Sequence, residues 1–460
     1  MKKPIVLVVV VAVVAAAAAG LPFWFGMQAE SAYEAMIAST SQGGDLAVTQ
    51  SKFERGWLES TADTTYAVTG TPVTLSVLHR ISHGPLPLDD DFQFQPVLAR
   101  VKSQVSLALP AGMPKLPPIS GKTTVYLAGN SQTVLDMPAV KTSSADGGTI
   151  DWKGVTGSFE TSADFKSTKG NLAAPQLSVT GADGKGLSLN KLRLTVDLQR
   201  GASGFDIGTV GVALDKLSID AAAGRTAIDG LNVTSTTKEA GGNLESGVSF
   251  QFKEVATGDS RQGPGQINVQ IRKLDIPTLT KFRTELQALR KQKIPPEQAN
   301  MMVLGKTLEL LGNLAKKSPE LEITKLSFKT PDGEVSGKAR FVLDGSQLDV
   351  SGNPMLMLRA LSGDGELSLP EALVRLLARD DVVRDIEALK QSGKLKKHEI
   401  AKLTPKRIEM ITQEALKQLP QYRDSVVTRL KLVPDGSNYK IVGVLKNGQI
   451  MVNNEPIALP

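Results

Sequence analysis

Between about residues 46 and 275, apolar and polar residues alternate with a period of two, in short stretches cut by Gly, Asn and Asp turn signals. Val101 to Leu109, Leu187 to Leu198 and Val212 to Asp220 are the plainest examples, and Asp146-Gly147-Gly148 and Asp183-Gly184 punctuate them. Half-buried antiparallel strands fit such a pattern, because successive side chains of a strand point to opposite faces. Leu187 to Leu198 and Val212 to Asp220 share a Leu-x-Lys-Leu-x-Leu/Ile core, but no fixed period recurs. The pattern therefore describes a meander and not a solenoid. A hydrophobic content of 41% supplies a core, while 42 Gly, 25 Pro and only 5% aromatic residues suit many turns and slender strands.

Helical spacing interrupts the strands twice. Pro277 opens a helix with Leu279, Phe282, Leu286 and Leu289 on one face, and after Pro295-Pro296 a second carries Met301, Leu304, Leu308 and Leu311, making a helical hairpin. Strands resume over Leu321 to Val350, split at Pro331-Asp332-Gly333. A second helical pair follows. Its first member begins near Pro370 with Leu373, Leu376, Leu377, Val383, Ile386 and Leu389 as the apolar stripe. The other begins at Thr404-Pro405, a cap and a first-turn proline, with Ile408, Ile411, Ala415 and Leu416 inward.

The chain closes on a hairpin whose Asn447-Gly448 is the preferred type I′ loop. Counting outward pairs Lys446 with Gln449, Leu445 with Ile450 and Val444 with Met451, so both faces are apolar. Helices over one face and a second layer of sheet over the other are expected, the alternative being an apolar groove. The fold class is α+β: a mainly antiparallel β meander forming a large, curved sheet, with helical-hairpin insertions and one N-terminal transmembrane helix. The expected segments are an anchor or signal peptide at 1–28, a β-rich region at 29–275 and a helical hairpin at 276–318. A β segment at 319–368, a helical pair at 369–420 and a closing hairpin at 421–460 follow.

Lys2 and Lys3 precede an uncharged run from Pro4 to Gln28, and the next charge is Glu30. As a helix, Ile5 to Met27 would be roughly 34 Å long, enough for a hydrocarbon core of about 30 Å. Lysines before the run place the N-terminus in the cytoplasm and send the rest outward. In a bacterial setting that means a single-pass inner-membrane protein with the bulk of the chain in the periplasm. A cleaved signal peptide competes, since Val6 to Val14 forms an h-region and Ala17-Ala18-Ala19 a cleavage site. Cleavage there would leave Leu21 to Phe25 as a greasy terminus, whereas in an anchor Trp24 sits at the membrane interface. Both readings export residues 30–460. Tyr33, Met36 and Ile37 at helical spacing extend the span into a short amphipathic helix.

The chemistry is sparse. Lys plus Arg is 53 against 47 Asp plus Glu, a net charge of +6 without a concentrated basic face, so no nucleic acid is expected. The chain has no cysteine, which removes disulfides and thiolate sites. Of three histidines, His79 and His83 lie four apart in strand context, about 13 Å along the chain and too far for a shared metal. Gly121-Lys122-Thr123 lacks the upstream glycine of a phosphate loop, position 116 being Leu. Asp89-Asp90-Asp91 lacks the spacing of a calcium loop and reads as solvated. Lys390, Lys394, Lys396, Lys397, Lys402, Lys406 and Arg407 surround His398; they read as a mixed, solvated surface with Asp380, Asp381, Asp385 and Glu387 nearby, the alternative being contact with anionic headgroups. No cofactor and no catalytic set emerges.

Three features together resemble a known family. The N-terminal span, the segment Phe53-Glu54-Arg55-Gly56-Trp57-Leu58 and Ser82-His83-Gly84-Pro85-Leu86-Pro87-Leu88 are similar to the YdgA family of Gram-negative envelope proteins. The likeness continues through Leu274 to Leu289, Leu326-Ser327-Phe328-Lys329 and Asn447 to Asn453, so it covers nearly the whole chain. In that family an aromatic, often Tyr, stands two before the Arg-Gly, the place Phe53 holds here. The resemblance implies an envelope location and this overall build, but no reaction. Phe53, Arg55, Gly56, His83, Gly84, Pro85 and Pro87 are its motif residues. Gly84-Pro85-Leu86-Pro87 suits a rigid turn between strands, and Arg55 suits pairing with a carboxylate across the sheet or holding a polar ligand. The leading expectation is a non-enzymatic envelope protein with the membrane as partner and homo-oligomerisation left open. The rivals are lipid or amphiphile binding in an apolar groove, and a hydrolase using His83.

Overall fold

The computed structural model describes residues 22–31, 33, 34, 37, 46–90, 94–108, 116–144, 147–222, 224–290, 296–345, 359–391, 403–418 and 420–457. The chain divides into two compact units, Met1–Lys238 with Thr280–Met302, and Glu239–Leu279 with Val303–Pro460. The build is mainly antiparallel β with a few helices, and every strand pairing given below is antiparallel.

In the first unit β1 (Leu46–Arg55), β2 (Glu59–Val68), β3 (Thr74–His83), β4 (Val97–Ala108), β5 (Ile119–Tyr126) and β6 (Ser131–Met137) pair in chain order. A hairpin of β7 (Val140–Ser143) and β8 (Thr149–Trp152) comes next, and β6 pairs onward with β9 (Val155–Thr161). Then follow β10 (Ser167–Thr180), β11 (Gly186–Arg200), β12 (Asp206–Ala221) and β13 (Gly224–Ala240), with β8 on the far half of β10. Residues 187–198 and 212–220 thus fall in paired strands. Residues 22–31, 33 and 34 are helical, and the helix over 22–31 is α1. Alternate residues of β2, namely Ser60, Ala62, Thr64 and Tyr66, are buried. Small and hydroxyl side chains on that face let a helix approach closely.

In the second unit β14 (Asn243–Phe252) pairs with β17 (Gly265–Asp275), and β15 (Glu254–Thr257) with β16 (Ser260–Gln262). From β17 the pairing runs through β18 (Glu320–Thr330), β19 (Gly333–Leu343), β20 (Leu361–Pro370) and β22 (Asn438–Lys446). β21 (Val433–Asp435) and β23 (Gln449–Val452) also pair with β22, and β24 (Glu455–Ile457) with β23. The Asn447-Gly448 turn sets Lys446 against Gln449, Leu445 against Ile450 and Val444 against Met451, the predicted register. Asn447 takes a φ of 53° there, as a type I′ loop requires.

The expected helices form with local caps. Before α2 (Ile276–Arg290), Asp275 accepts from the Thr278 amide at 3.0 Å, and α3 (Pro296–Ala315) follows. α4 (Glu371–Gln391) starts directly after Pro370, and Thr404 caps α5 (Pro405–Gln418) by accepting from Arg407 N at 3.3 Å. α6 (Gln421–Arg429) carries no comparable sequence signal, since Pro420 supplies no side-chain cap.

Three expectations are corrected. The buried line of α4 is Val374, Ala378, Val382 and Ile386, while Leu376 and Leu389 are exposed. Smaller residues face inward because Val374 and Ala378 pack closely with Val426, Leu369 and Leu432 in the core beneath the helices. Met301 and Leu304 of α3 are exposed too, and burial begins only towards Leu314 and Ala315. The C-terminal hairpin has Leu445 and Ile450 lining an apolar groove, and Val444 stays exposed. The helical core reaches only as far across that sheet as Leu367, Tyr439 and Ile441.

Among the described residues no helix is long and apolar enough to cross a membrane. Most of the run from Ile5 to Met27, and Met36 beyond it, lies outside the described residues, as do Lys394, Lys396, Lys397, His398 and Lys402.

Candidate functional site

Two places stand out, one in each unit. In the first, the residues of the two sequence motifs converge beneath α1. Phe23, Gly26, Glu30 and Tyr33 are spaced three, four and three apart, one stripe of a helix. Each meets a named group of the sheet. The Phe23 ring lies 5.4 Å from Trp57, and the Arg55 guanidinium sits 5.1 Å from the same Phe23 ring. Glu30 accepts from Arg55 at 2.8 Å, with both side chains about a third exposed, so the pair contributes about 0–1 kcal/mol. Tyr33 stacks on Phe53 at 5.4 Å, and its hydroxyl lies 2.7 Å from Thr64 Oγ1 and donates to the Asp63 carbonyl at 3.3 Å. The carboxylate that Arg55 takes is therefore on the helix and not across the sheet.

His83 occupies the centre. It is 2% exposed, with Nδ1 3.0 Å from the Trp57 carbonyl and Nε2 2.9 Å from Ser60 Oγ, itself 1% exposed. A carbonyl only accepts, so the ring donates from Nδ1, and Nε2 of the neutral ring accepts from the serine. Gly26 lies on the imidazole: a Cβ there would fall 2.6 Å from Cε1. The backbone around the ring is equally tight. His83 N donates to Leu58 O at 2.8 Å, Gly84 N to Leu98 O at 2.8 Å and Val97 N to Pro85 O at 2.9 Å. A Cβ on Gly84 would stand 1.9 Å from Val97 O, and one on Gly56 2.2 Å from Glu59 O. Pro87 is fully buried. All seven motif residues thus lie in strands or loops at one end of β1 to β4; Arg55 and His83 directly contact α1, and Phe53 contacts Tyr33 just beyond it.

Chemically, a serine hydroxyl on an imidazole whose far nitrogen is held has the outline of nucleophile and base. Here both groups are buried and the ring is roofed by Gly26 of α1.

In the second unit the register of five strands builds an apolar trough. One row across the strands is Ile323, Ala339, Gly365 and Gly443, each opposite the next on β18, β19, β20 and β22. On one side runs Leu326, Gly337, Leu367 and Ile441, and on the other Phe341, Gly363, Leu445 and Ile450. The middle row is low because it is small. Phe341 leans over Gly363, where a Cβ would meet its ring at 2.5 Å, whereas a Cβ on Gly443 would meet open space. The cavity measures about 370 Å³, within the range of small-molecule sites, and its lining is almost wholly apolar. At about 4.8 Å per strand, the four steps from β18 to β23 span roughly 19 Å. On the opposite face Glu366 bridges Lys440 at 2.8 Å and Lys338 at 3.1 Å, and these two lysines hold its carboxyl below the usual range.

The family model described as a bacterial protein of unknown function, DUF945, matches residues 1–460. The chain belongs to the DUF945 family. No curated protein and no solved structure matches it.

The remaining sequence features of this DUF945 chain resolve individually. His79, on β3 with His83, has its own partner, Ser103 Oγ at 2.7 Å, and burial pushes its imidazole below the usual range. Among the described residues no group of three His, Cys, Asp or Glu could hold a metal ion. Gly121, Lys122 and Thr123 lie within β5. Asp89 is not solvated as expected: it meets Arg100 at 3.1 Å with both side chains buried, because a buried guanidinium needs a counter-charge. Asp90 pairs with Lys102 at 3.3 Å, and Asp91 lies outside the described residues. Lys390 pairs with Glu387 at 2.6 Å. Sequence reasoning missed α1's stripe, although the Phe23, Gly26, Glu30 and Tyr33 spacing carries it. Of the trough only the apolar residues of the C-terminal hairpin were legible, since its floor is assembled by register between distant strands.

Proposed function

We propose that this DUF945 protein is a non-enzymatic component of the bacterial envelope, of YdgA type. In this reading the N-terminal segment anchors it in the inner membrane, the bulk of the chain lies in the periplasm, and the second unit takes up the apolar chain of a lipid or another envelope amphiphile. The trough with Gly443 at its floor carries the binding part of this reading. An apolar groove left open to water costs free energy that an acyl chain recovers. The anchor rests on the uncharged run behind Lys2 and Lys3, and on the helix that follows it being fastened to the sheet. The non-enzymatic part is supported by the burial of Ser60 and His83, which keeps this serine–imidazole pair away from solvent.

Native mass spectrometry of the full chain, purified in mild detergent, tests the binding part. The expected result is an adduct that organic extraction removes and that the Gly443→Leu variant lacks, because the added side chain fills the floor. Recovery of wild type with no adduct, or of both proteins with equal adduct, overturns it.

A further inference from the structure

Because consecutive strands of the first unit reverse direction, its turns sort to two ends of the sheet. One end collects the turns at 56–58, 127–130, 162–166 and 201–205 and the connecting residues 84–90 and 94–96, as the pairings His83 with Ala99, Val97 with Tyr126, Ser131 with Thr161 and Ser167 with Gln199 require. The other end holds 69–73 and 181–185 among others. Among the described residues, every large apolar side chain that is exposed in a turn of this unit lies at the first end: Trp57, Leu58, Leu88, Phe94, Leu127 and Phe165. At the opposite end the described turns read Thr69-Gly70-Thr71-Pro72 and Gly181-Ala182-Asp183-Gly184-Lys185, and the exposed apolar residues beside them, Val179, Leu187 and Ile219, lie within the paired strands and not at the tips.

Folding does not account for this segregation. Phe165 is 74% exposed and holds a φ of 56°, a left-handed conformation that Gly or Asn adopts more readily. Its turn is already built by other groups, Phe165 N donating to Ser162 O at 2.9 Å and Lys166 N to Asp164 Oδ1 at 3.1 Å. The same end receives the N-terminal chain. Phe23 packs on Trp57 there, with Trp24 exposed beside it, and the apolar run from Ile5 directly precedes these residues in sequence.

We propose that this end of the first unit is a membrane-contacting surface, its apolar turn tips seated in the headgroup region of the bilayer that the N-terminal run enters. Aromatic and aliphatic side chains at loop tips next to a span are placed where amphipathic rings partition at the lipid–water boundary. The inference rests on the anchored reading of the N-terminal segment and adds that the sheet stands end-on against the membrane. It is independent of the trough.

The test places single tryptophans in the full chain, reconstituted in phosphatidylethanolamine and phosphatidylglycerol vesicles with bromine on the upper acyl chain. One variant keeps only Trp57. Three others lack Trp24, Trp57 and Trp152, all replaced by Phe, and carry Phe165→Trp, Leu127→Trp or, at the far end, Pro72→Trp. A further variant keeps only Trp24 and reports the anchor. Tryptophans at 57, 127 and 165 are expected to lose much of their emission relative to vesicles without bromine, while that at 72 does not. Quenching of Trp24 with none at 57, 127 and 165 overturns the inference and leaves the anchor standing. No quenching anywhere, with the chain failing to float with the vesicles, overturns both. Equal quenching at 72 and 165 also overturns it, as does shielding of the tips from a soluble quencher without lipid contact, which would mark a protein partner or second copy.

Discussion

Gly84 in the first unit and Gly443 in the second both sit where a strand meets its neighbours, and their surroundings are opposite. A Cβ on Gly84 would stand 1.9 Å from the Val97 carbonyl and 2.7 Å from that of Leu98, while one on Gly443 would find nothing within 4 Å. In the motif cluster the missing side chain brings backbone onto backbone, and at Gly26 it brings a helix onto an imidazole. In the trough the missing side chain leaves room. Glycine alone therefore says little about a site; what the freed volume contains separates close packing from open space.

The largest effect that would break this contrast lies at Gly84. Gly84→Ala is expected to cost about 3 kcal/mol or more, because the obstructing atoms are main-chain carbonyls fixed by the ladder hydrogen bonds and cannot turn aside. Urea unfolding of the purified full chain, followed by tryptophan emission, measures it. A midpoint equal to wild type would mean that the His-Gly-Pro element is not held by packing.

His83→Ala comes next, at about 2–4 kcal/mol. It leaves Ser60 Oγ and the Trp57 carbonyl without their partner in a buried place and opens a cavity under Gly26. Faster proteolysis within α1 should accompany the loss, since α1 loses its central contact. If His83→Ala instead abolished a cellular activity with stability and proteolysis unchanged, the cluster would be a site of chemistry rather than a fastening.

These two sites differ in how far local sequence foretells them. Strand alternation such as that of Leu187 to Leu198, the Thr404 cap and the Asn447-Gly448 turn are local physics, and each appears where its spacing places it. The motif residues were visible as a set, but their convergence on Phe23, Gly26, Glu30 and Tyr33 depends on a helix crossing β2, which no residue of β2 announces by itself. The trough is further from view. Ala339, Gly365 and Gly443 are separated by long stretches of chain and become one floor only through the registers of β19, β20 and β22. The inward face of α4 differs for a related reason: helical spacing puts Leu376 in the apolar stripe, but a helix core packed against Val426 and Leu369 takes Val374 and Ala378.

The smallest expected effect sharpens the contrast most, because its sign is reversed. Gly443→Ala should raise stability by about 0.5 kcal/mol, since glycine within a strand gives up more backbone freedom on folding than alanine and the added methyl meets only open space. The same methyl that wrecks the packing at Gly84 should thus be welcome at Gly443, apart from narrowing the floor on which an acyl chain would lie. Matched urea titrations of the two alanine variants read both signs. A loss of stability at Gly443 would mean that a side chain from elsewhere in the unit already occupies the trough in solution, and glycine there would then serve packing, as it does beside His83.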